Sequence, residues 1–498
     1  MAMTGIKGGQ VKVLSDDELN QIHLATLEVL ETVGIKTPHR KALDYFSEAG
    51  CQVDYLTGIA KVPGYVLMDA LARAPKRITL YGKTPEFDVV LDGTPNVYTL
   101  GGAGATMVID LDGNRRPSTL DDLIKLTRLQ EDFENLNLAH FLVLPQDIPQ
   151  QGSDRVVFST MLQNTRRHHH TIAAGAQGVR DHVEMAAVLA GSKEAVSARP
   201  FYMENICVHS PLYIKEDTVD EIFEAAKYRI PMLMEADSIA GGTSPFTIAG
   251  AAVEVNATVL AGIMLAQLAT PGSPCIYSSS SGILDMRVAN YSAAAPESTL
   301  LHMVGAQMAH FYGLPYQGAN TCDSKVSDAQ MGYERALHFL SLAYAGCNII
   351  HVATGNLEQM RLASYEQCLL DNEILGATFR ILKGLTVDRD TLAVDVFKDI
   401  GPGPGGQFID HDHTLRHLRR ERWEPRLTSR EPWETWQAHG GLDMRQRANV
   451  EARRILEQEW EPYVSEDQAH ELDKMAKTMQ QQSMDSTRRD GHLASAAG

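Results

Sequence analysis

The chain has 498 residues, enough for about three domains of ordinary size or for one decorated barrel. With 44% hydrophobic and 22% charged residues it has a globular composition, which excludes disorder over most of its length. A net charge of −18 gives no electrostatic footprint for nucleic acid or an anionic membrane, and six scattered cysteines without a CxxC pair exclude a disulfide scaffold, so reduced thiols and a cytoplasmic location are expected.

In chain order, residues 1–15 carry glycine and lysine without the apolar core of a signal peptide. Residues 16–75 read as helices, one opened by Ser15-Asp16-Asp17-Glu18 and another over 63–74. Residues 77–90 alternate apolar and polar as a small hairpin would. Together, 1–95 form an N-terminal helical and hairpin extension.

From 96 to 385 a pattern repeats. Short apolar runs begin at 97, 136, 171, 203, 232, 275, 315 and 349, spaced 29 to 43 residues apart. Between them lie segments of helical spacing, such as 121–130, 217–227, 250–268, 299–311 and 329–345. The starts Ser118-Thr119-Leu120-Asp121, Asp217-Thr218 and Ser327-Asp328 look like N-caps. Eight such units predict an α/β fold, a (β/α)8 TIM barrel with helical extensions at both ends. Gly101-Gly102-Ala103-Gly104 is followed by a strand-like 106–110 and fails the context test for a dinucleotide loop. The apolar stretch 247–270 is broken by Glu254, Asn256 and Gln267, which suits a buried helix better than a membrane span. Residues 386–498 form a C-terminal extension: 386–400 helical, 401–406 broken by glycine and proline, and a polar, frayed tail from about 470.

Barrel chemistry sits at the C-terminal ends of strands. Those positions hold Tyr98, His140, Gln146, Glu204, Asn205, His209, Glu235, Asp237, Tyr277, the serines at 278–281, Asn320, Asp323, His351, Glu358 and Arg361. No Gly-x-Ser-x-Gly elbow, HExxH helix or P-loop is present. Three consecutive histidines, His168 to His170, point in different directions along a strand and read as structural or loop residues. His411, His413 and His417, set among Arg416, Arg419, Arg420 and Arg422, read as ion-paired packing; Cys322 and Cys347 read as small buried residues. The four serines either line a site or bend a loop, while Glu204 and Glu235 either bind a cation or satisfy buried backbone.

Several motifs occur together in order: Leu14-Ser15-Asp16-Asp17-Glu18 with 23–30 and Val33-Gly34-Ile35; 316–325 with Asp328-Ala329-Gln330; 348–355 with Leu357-Glu358; Tyr365-Glu366-Gln367 through 371–374; and 401–408, His413-Thr414-Leu415, Pro425, Arg430 and 433–436. They resemble the trimethylamine methyltransferase family over residues 14 to about 460. The resemblance implies a (β/α)8 barrel that moves a methyl group from an amine to the cobalt of a separate corrinoid protein. Founding members carry pyrrolysine near the end of the seventh strand. The matching stretch here, 318–325, holds only ordinary residues, as in the branch whose characterised members demethylate quaternary amines such as glycine betaine.

That resemblance implies site roles. Asn320 and Asp323 fall where pyrrolysine would project, with Glu204 and Glu235 supplying negative field to a cation. Tyr98, Phe141 and Tyr277 are the aromatic faces for an ammonium. His351, Glu358 and Arg361 sit at the eighth strand, His351 and Arg361 as donors to a betaine carboxylate. Gly102, Ser279 and Gly318 are small residues where the corrinoid enters. The cofactor is a cobalamin-type corrinoid carried by its partner protein, no tightly bound metal is expected, and a homo-oligomer is anticipated. Trimethylamine or another betaine (proline betaine, carnitine) remains open as donor. Two rivals stand beside this: a hydrolase or lyase with a metal on Glu204, His209 and Glu235, and a non-catalytic betaine-binding barrel.

Overall fold

The computed structural model describes residues 3–403 and 406–496. Its centre is a nine-stranded sheet. Eight strands are β1 (Asn96–Thr99), β2 (Ala139–His140), β3 (His169–Thr171), β4 (Tyr202–Cys207), β5 (Met232–Ala236), β6 (Cys275–Ser279), β7 (Tyr316–Ala319) and β8 (Ile349–His351). They run parallel in the spatial order β1-β8-β7-β6-β5-β4-β3-β2, and Ile6–Lys7 adds an antiparallel edge against β1. The sheet curls until its ends meet: Leu100 and Leu138 form a parallel bridge, with Leu138 N donating to Thr99 O at 2.9 Å and Gly101 N to Leu138 O at 3.1 Å.

Helices follow the strands: α1 (Leu120–Glu131), α2 (Ser153–Asn164), α3 (Gly175–Ala190), α4 (Glu216–Lys227), α5 (Ile248–Ala269), α6 (Pro296–Phe311), α7 (Ala329–Ala345) and α8 (Tyr365–Leu382). Their starts have local causes. Thr119 caps α1 in a reciprocal capping box with Asp122, and the Asp328 side chain accepts from Met331 N at the start of α7. The helix α5 is long and apolar enough to cross a bilayer, yet most of it is buried within the fold.

Inside the curl, the lower layer is apolar. Leu100, Leu138, Met203, Leu233, Ile276 and Ile349 pack with Ile78, Leu80, Val89 and Leu91. The last four belong to the antiparallel ribbon Ile78–Leu80 with Val89–Leu91, as the alternation over 77–90 predicts. The ribbon therefore plugs the N-terminal end of the sheet, and a cavity lies toward the C-terminal ends of the strands.

Three expectations for the flanks change. Residues 16–75, read as helices, also hold a small antiparallel sheet of Ile35–Lys36, Ile59–Lys61 and Gln52–Asp54 between the helices Asp16–Thr32, Arg40–Glu48 and Gly64–Arg73. Only Val394–Ile400 of the 386–400 stretch is helical. The tail from 470 is a helix, Glu466–Ala496, which buries Leu472 and Ala476 and sends Gln480 Nε2 to Pro149 O at 2.8 Å. Apolar residues spaced along a polar sequence gave it a face to dock. The final two residues and positions 404–405 of the glycine-proline break lie outside the described residues.

Candidate functional site

Side chains along a strand alternate faces, so the residue two beyond each apolar interior position points the same way. Two beyond Leu138 is His140; two beyond Met203 is Asn205, then Cys207; two beyond Leu233 is Glu235, then Asp237; two beyond Ile349 is His351. All six line one cavity of about 670 Å³ at the strands' C-terminal ends, together with His170. That size is typical of small-molecule pockets, ~300–1,000 Å³. Phe141, Leu144, Val157, Ile172, Ile239 and Met360 give it apolar walls, and Tyr291 adds a second aromatic ring.

One side of the cavity is acidic. Glu235 is buried and accepts from Asn205 Nδ2 at 2.7 Å, Ser280 Oγ at 2.6 Å and Ser278 Oγ at 3.4 Å. Oxygens of Glu235 and Asp237 and the Cys207 sulfur lie within 4.8 Å of one another. Burial raises the Glu235 carboxyl above its ordinary range. Asp237 is raised further, by the cavity walls and by the Glu235 charge. Its side chain stands open to the cavity, so the repulsion from Glu235 is the part that persists.

The other side carries three imidazoles. Ring centroids of His140 and His170 are 4.2 Å apart, His140 and His351 5.1 Å, and His170 and His351 5.4 Å. His140 Nδ1 donates to the Gly102 carbonyl, which also receives His351 Nε2 at 3.3 Å. Burial pushes His351 down to about 4 and holds His140 and His170 well below the usual imidazole range, so all three are neutral near pH 7.

Of the residues given a site role from sequence, Phe141, Glu235 and His351 line the cavity. The others do not. Glu204 and Tyr277 lie one residue off the inward set, and a one-residue offset puts a side chain on the opposite face of a strand. Glu204 accepts from His182 Nδ1 of α3 at 2.8 Å, and Tyr277 packs behind the sheet, 5.8 Å from the Tyr316 ring. Ser279 shares that outward parity and donates to Ser281 Oγ at 2.9 Å. Tyr98 has the inward parity but sits at the plugged end, donating to Val90 O at 3.2 Å. Asn320 is buried beside the cavity: its N–H donates to His351 O at 2.7 Å and its carbonyl accepts from Arg335. Asp323 faces a separate cavity and binds Ser292 Oγ, the Ala293 and Ala294 amides and Gln359 Nε2, tying two loops together. Glu358 pairs with Arg115 at 3.5 Å, and Arg361 is exposed. Gly102 contributes its carbonyl, and a Cβ there would overlap Leu142; a Cβ at Gly318 would meet the Tyr316 ring at 2.9 Å. Both glycines answer to packing rather than to an open mouth. The metal set Glu204, His209 and Glu235 is not assembled, because Glu204 points away from Glu235.

His140, Asn205 and Asp237 stand in the strand-end ring read from sequence, but no role there was given to them. His170, read as structural, faces the cavity; the alternation that turns His169 toward Phe158 and Tyr202 supplies the missing signal. The His411–His417 segment is ion-paired as expected, His417 with Asp390 at 2.9 Å.

The profile of the trimethylamine methyltransferase family matches residues 3–483. A trimethylamine methyltransferase of Desulfitobacterium hafniense is 36% identical over 455 residues, covering 91% of this chain and 90% of that one. A glycine betaine methyltransferase of the same species is 34% identical over 450 residues, covering 89% and 92%. The solved monomethylamine methyltransferase of Methanosarcina barkeri covers 91% of this chain and 95% of its own, with 13% identity and a TM-score of 0.48.

Proposed function

The chain belongs to the trimethylamine methyltransferase family and is an amine methyltransferase, and we propose that it demethylates a quaternary amine, with glycine betaine the leading donor, passing the methyl group to the Co(I) of a separate corrinoid protein. The curled sheet is then read as a closed (β/α)8 barrel; eight parallel strands in sequential order and the Leu100–Leu138 bridge support that reading.

The observation that carries the proposal is a mostly apolar cavity with a carboxylate pair, buried Glu235 and open Asp237, on one wall and no lysine or arginine among its described lining. Such a cavity suits a cation clothed in methyl groups. Glu235 and Asp237 face the positive charge, and Phe141 and Tyr291 offer ring faces worth ~0.5–2 kcal/mol each to an ammonium. Burial and mutual repulsion raise both carboxyls, and an arriving cation favours their charged forms.

The proposed reaction asks for no general acid at the leaving nitrogen. A quaternary ammonium leaves as a neutral tertiary amine, so the C–N bond electrons need no proton on nitrogen. Trimethylamine would leave as an amide anion unless activated. The corrinoid supplies the nucleophile when its partner protein docks. Small residues at the cavity's edge, Ala103, Gly104, Gly152 and Ala174, fit that approach, and a Cβ at the adjacent Gly175 would meet nothing within 4 Å. The chain's own task is to hold N–CH3 in line and keep water out.

The test is a spectrophotometric methyl-transfer assay with chemically reduced cob(I)alamin and a panel of amines. Turnover with glycine betaine and none with trimethylamine is the expected result. Turnover with trimethylamine alone would overturn the quaternary-amine reading. Tight betaine binding without any transfer, to free or protein-bound corrinoid, would make the chain a binding protein.

A further inference from the structure

The cavity poses a problem for the substrate just proposed. A betaine has a carboxylate as well as an ammonium, and the described lining contains no lysine or arginine to meet it. Its basic groups are His140, His170 and His351, which burial keeps neutral.

Those rings are also incompletely partnered. His140 is 2% exposed, His170 1% and His351 5%, yet His140 Nε2, both His170 nitrogens and His351 Nδ1 have no hydrogen-bond partner. Buried polar atoms are ordinarily paired, and these unpaired nitrogens belong to three rings that line one cavity. The Gly102 carbonyl sets their chemistry. By accepting from His140 Nδ1 and His351 Nε2 it fixes the proton on those atoms and leaves lone pairs on His140 Nε2 and His351 Nδ1. A backbone carbonyl holding the far N–H of an imidazole is the usual outer support of a metal-bound histidine.

We propose that His140, His170 and His351 hold a divalent transition-metal ion of the zinc class, and that its open coordination position receives the substrate carboxylate. The second half rests on the betaine reading of the same cavity; the first does not. One ring nitrogen from each histidine can be chosen so that all three lie within 4.8 Å of one another. Ligands at ~2.0–2.1 Å on a tetrahedral ion lie roughly 3.4 Å apart, so modest ring rotation completes the site. Three neutral imidazoles with one position facing a cavity is an open rather than a closed zinc arrangement. It places positive charge opposite Glu235 and Asp237, as the two ends of a betaine require.

Two other groups of possible ligands must be told apart from this one. Cys207, Glu235 and Asp237 share the cavity, and Asp390, His413 and His417 form a group on the C-terminal extension. The full-length chain, stripped with a strong chelator, is titrated with Zn2+ against a chromophoric competitor and separately with Co2+. One equivalent is expected. It should persist in Glu235→Gln and in the double variant His413→Ala/His417→Ala, and weaken by about 100-fold or more in His170→Ala. Bound Co2+ should show the visible absorption of a low-coordinate site, and glycine betaine should shift that spectrum. Should His170→Ala not fold, His170→Gln replaces it, with thermal melting as the check on either. Absence of a retained equivalent, or its loss in His413→Ala/His417→Ala but not at His170, overturns the metal site. A cobalt spectrum that betaine leaves unchanged overturns the carboxylate role alone. Because these readouts need no methyl transfer, failure of the site and failure of the proposed reaction are separable.

Discussion

Replacing Glu235 by Gln should separate substrate affinity from structure. The change keeps volume and shape and removes one charge. An ammonium ~5 Å from this carboxylate at an effective dielectric of ~20 gains ~3 kcal/mol, which corresponds to roughly a hundredfold in binding. Refilling the hydrogen bonds is feasible. Three donors converge on Glu235, from Asn205, Ser278 and Ser280, and a Gln amide would set its own N–H2 against one of them. Asn205 Oδ1 has no partner, so turning the Asn205 amide presents an acceptor to the new donor. The empty protein should gain stability at alkaline pH. Glu235 is raised in the folded state, so above its unfolded value the folded chain holds more protons than the unfolded one, and stability falls as pH rises through that window. Gln removes that loss. Calorimetric titration with glycine betaine and the cob(I)alamin assay should thus show an affinity loss of about 100-fold with unchanged or higher melting temperature. A loss under about fivefold in a folded variant would refute the assignment of the acidic wall to the ammonium, because no plausible dielectric for a buried carboxylate gives so little.

Other outcomes follow from the same geometry. Betaine affinity should rise with pH above the ordinary carboxylate range, since the raised Glu235 and Asp237 carboxyls must lose a proton to receive a cation; a flat profile in calorimetry would contradict the pairing. Phe141→Leu should raise KM about threefold to tenfold through loss of a ring face. Tyr98→Phe and Tyr277→Phe should leave KM unchanged, as neither ring reaches the cavity. Glu204→Ala should cost ~1–3 kcal/mol in denaturant unfolding by leaving buried His182 Nδ1 unpaired, with steady-state constants of the folded fraction little altered.

The strand runs and helices were legible because burial imposes a pattern that any apolar residue can satisfy. The runs starting at 136, 203, 232, 275, 315 and 349 overlap strands β2, β4, β5, β6, β7 and β8, and the segment 329–345 is helix α7 without change. The site was less legible because strand-end position is only half of the geometry. Parity is the other half, and it follows from which residue enters the apolar layer beneath. Met203 does so in β4, which makes Asn205 and Cys207 the inward pair and sends Glu204 to His182. In β6 the same rule selects Ser278 and Ser280 over Tyr277 and Ser279, and both selected serines donate to Glu235. The loop residues Asp323, Glu358 and Arg361 were beyond such counting, since no alternation constrains a turn.

Parity also explains why three consecutive histidines can be occupied differently at no cost to the strand. His168 faces inward at the plugged end, with its Nδ1 on Tyr81 O at 2.9 Å; His169 faces the helices; His170 faces the cavity. The first two are held by packing and by one backbone bond. His170, like His169, has neither ring nitrogen paired, but it faces the open cavity where His169 faces packed rings. A leucine at 170 would pack the same layer without unpaired nitrogens, so the fold alone does not account for an imidazole there. His140 and His351 approach the same point from strands on either side of β1, oriented by the carbonyl of Gly102 just past that strand's end. Four neighbouring strands therefore converge on a polar position opposite the acidic wall, and a substrate with charge at both ends is the ligand that uses both.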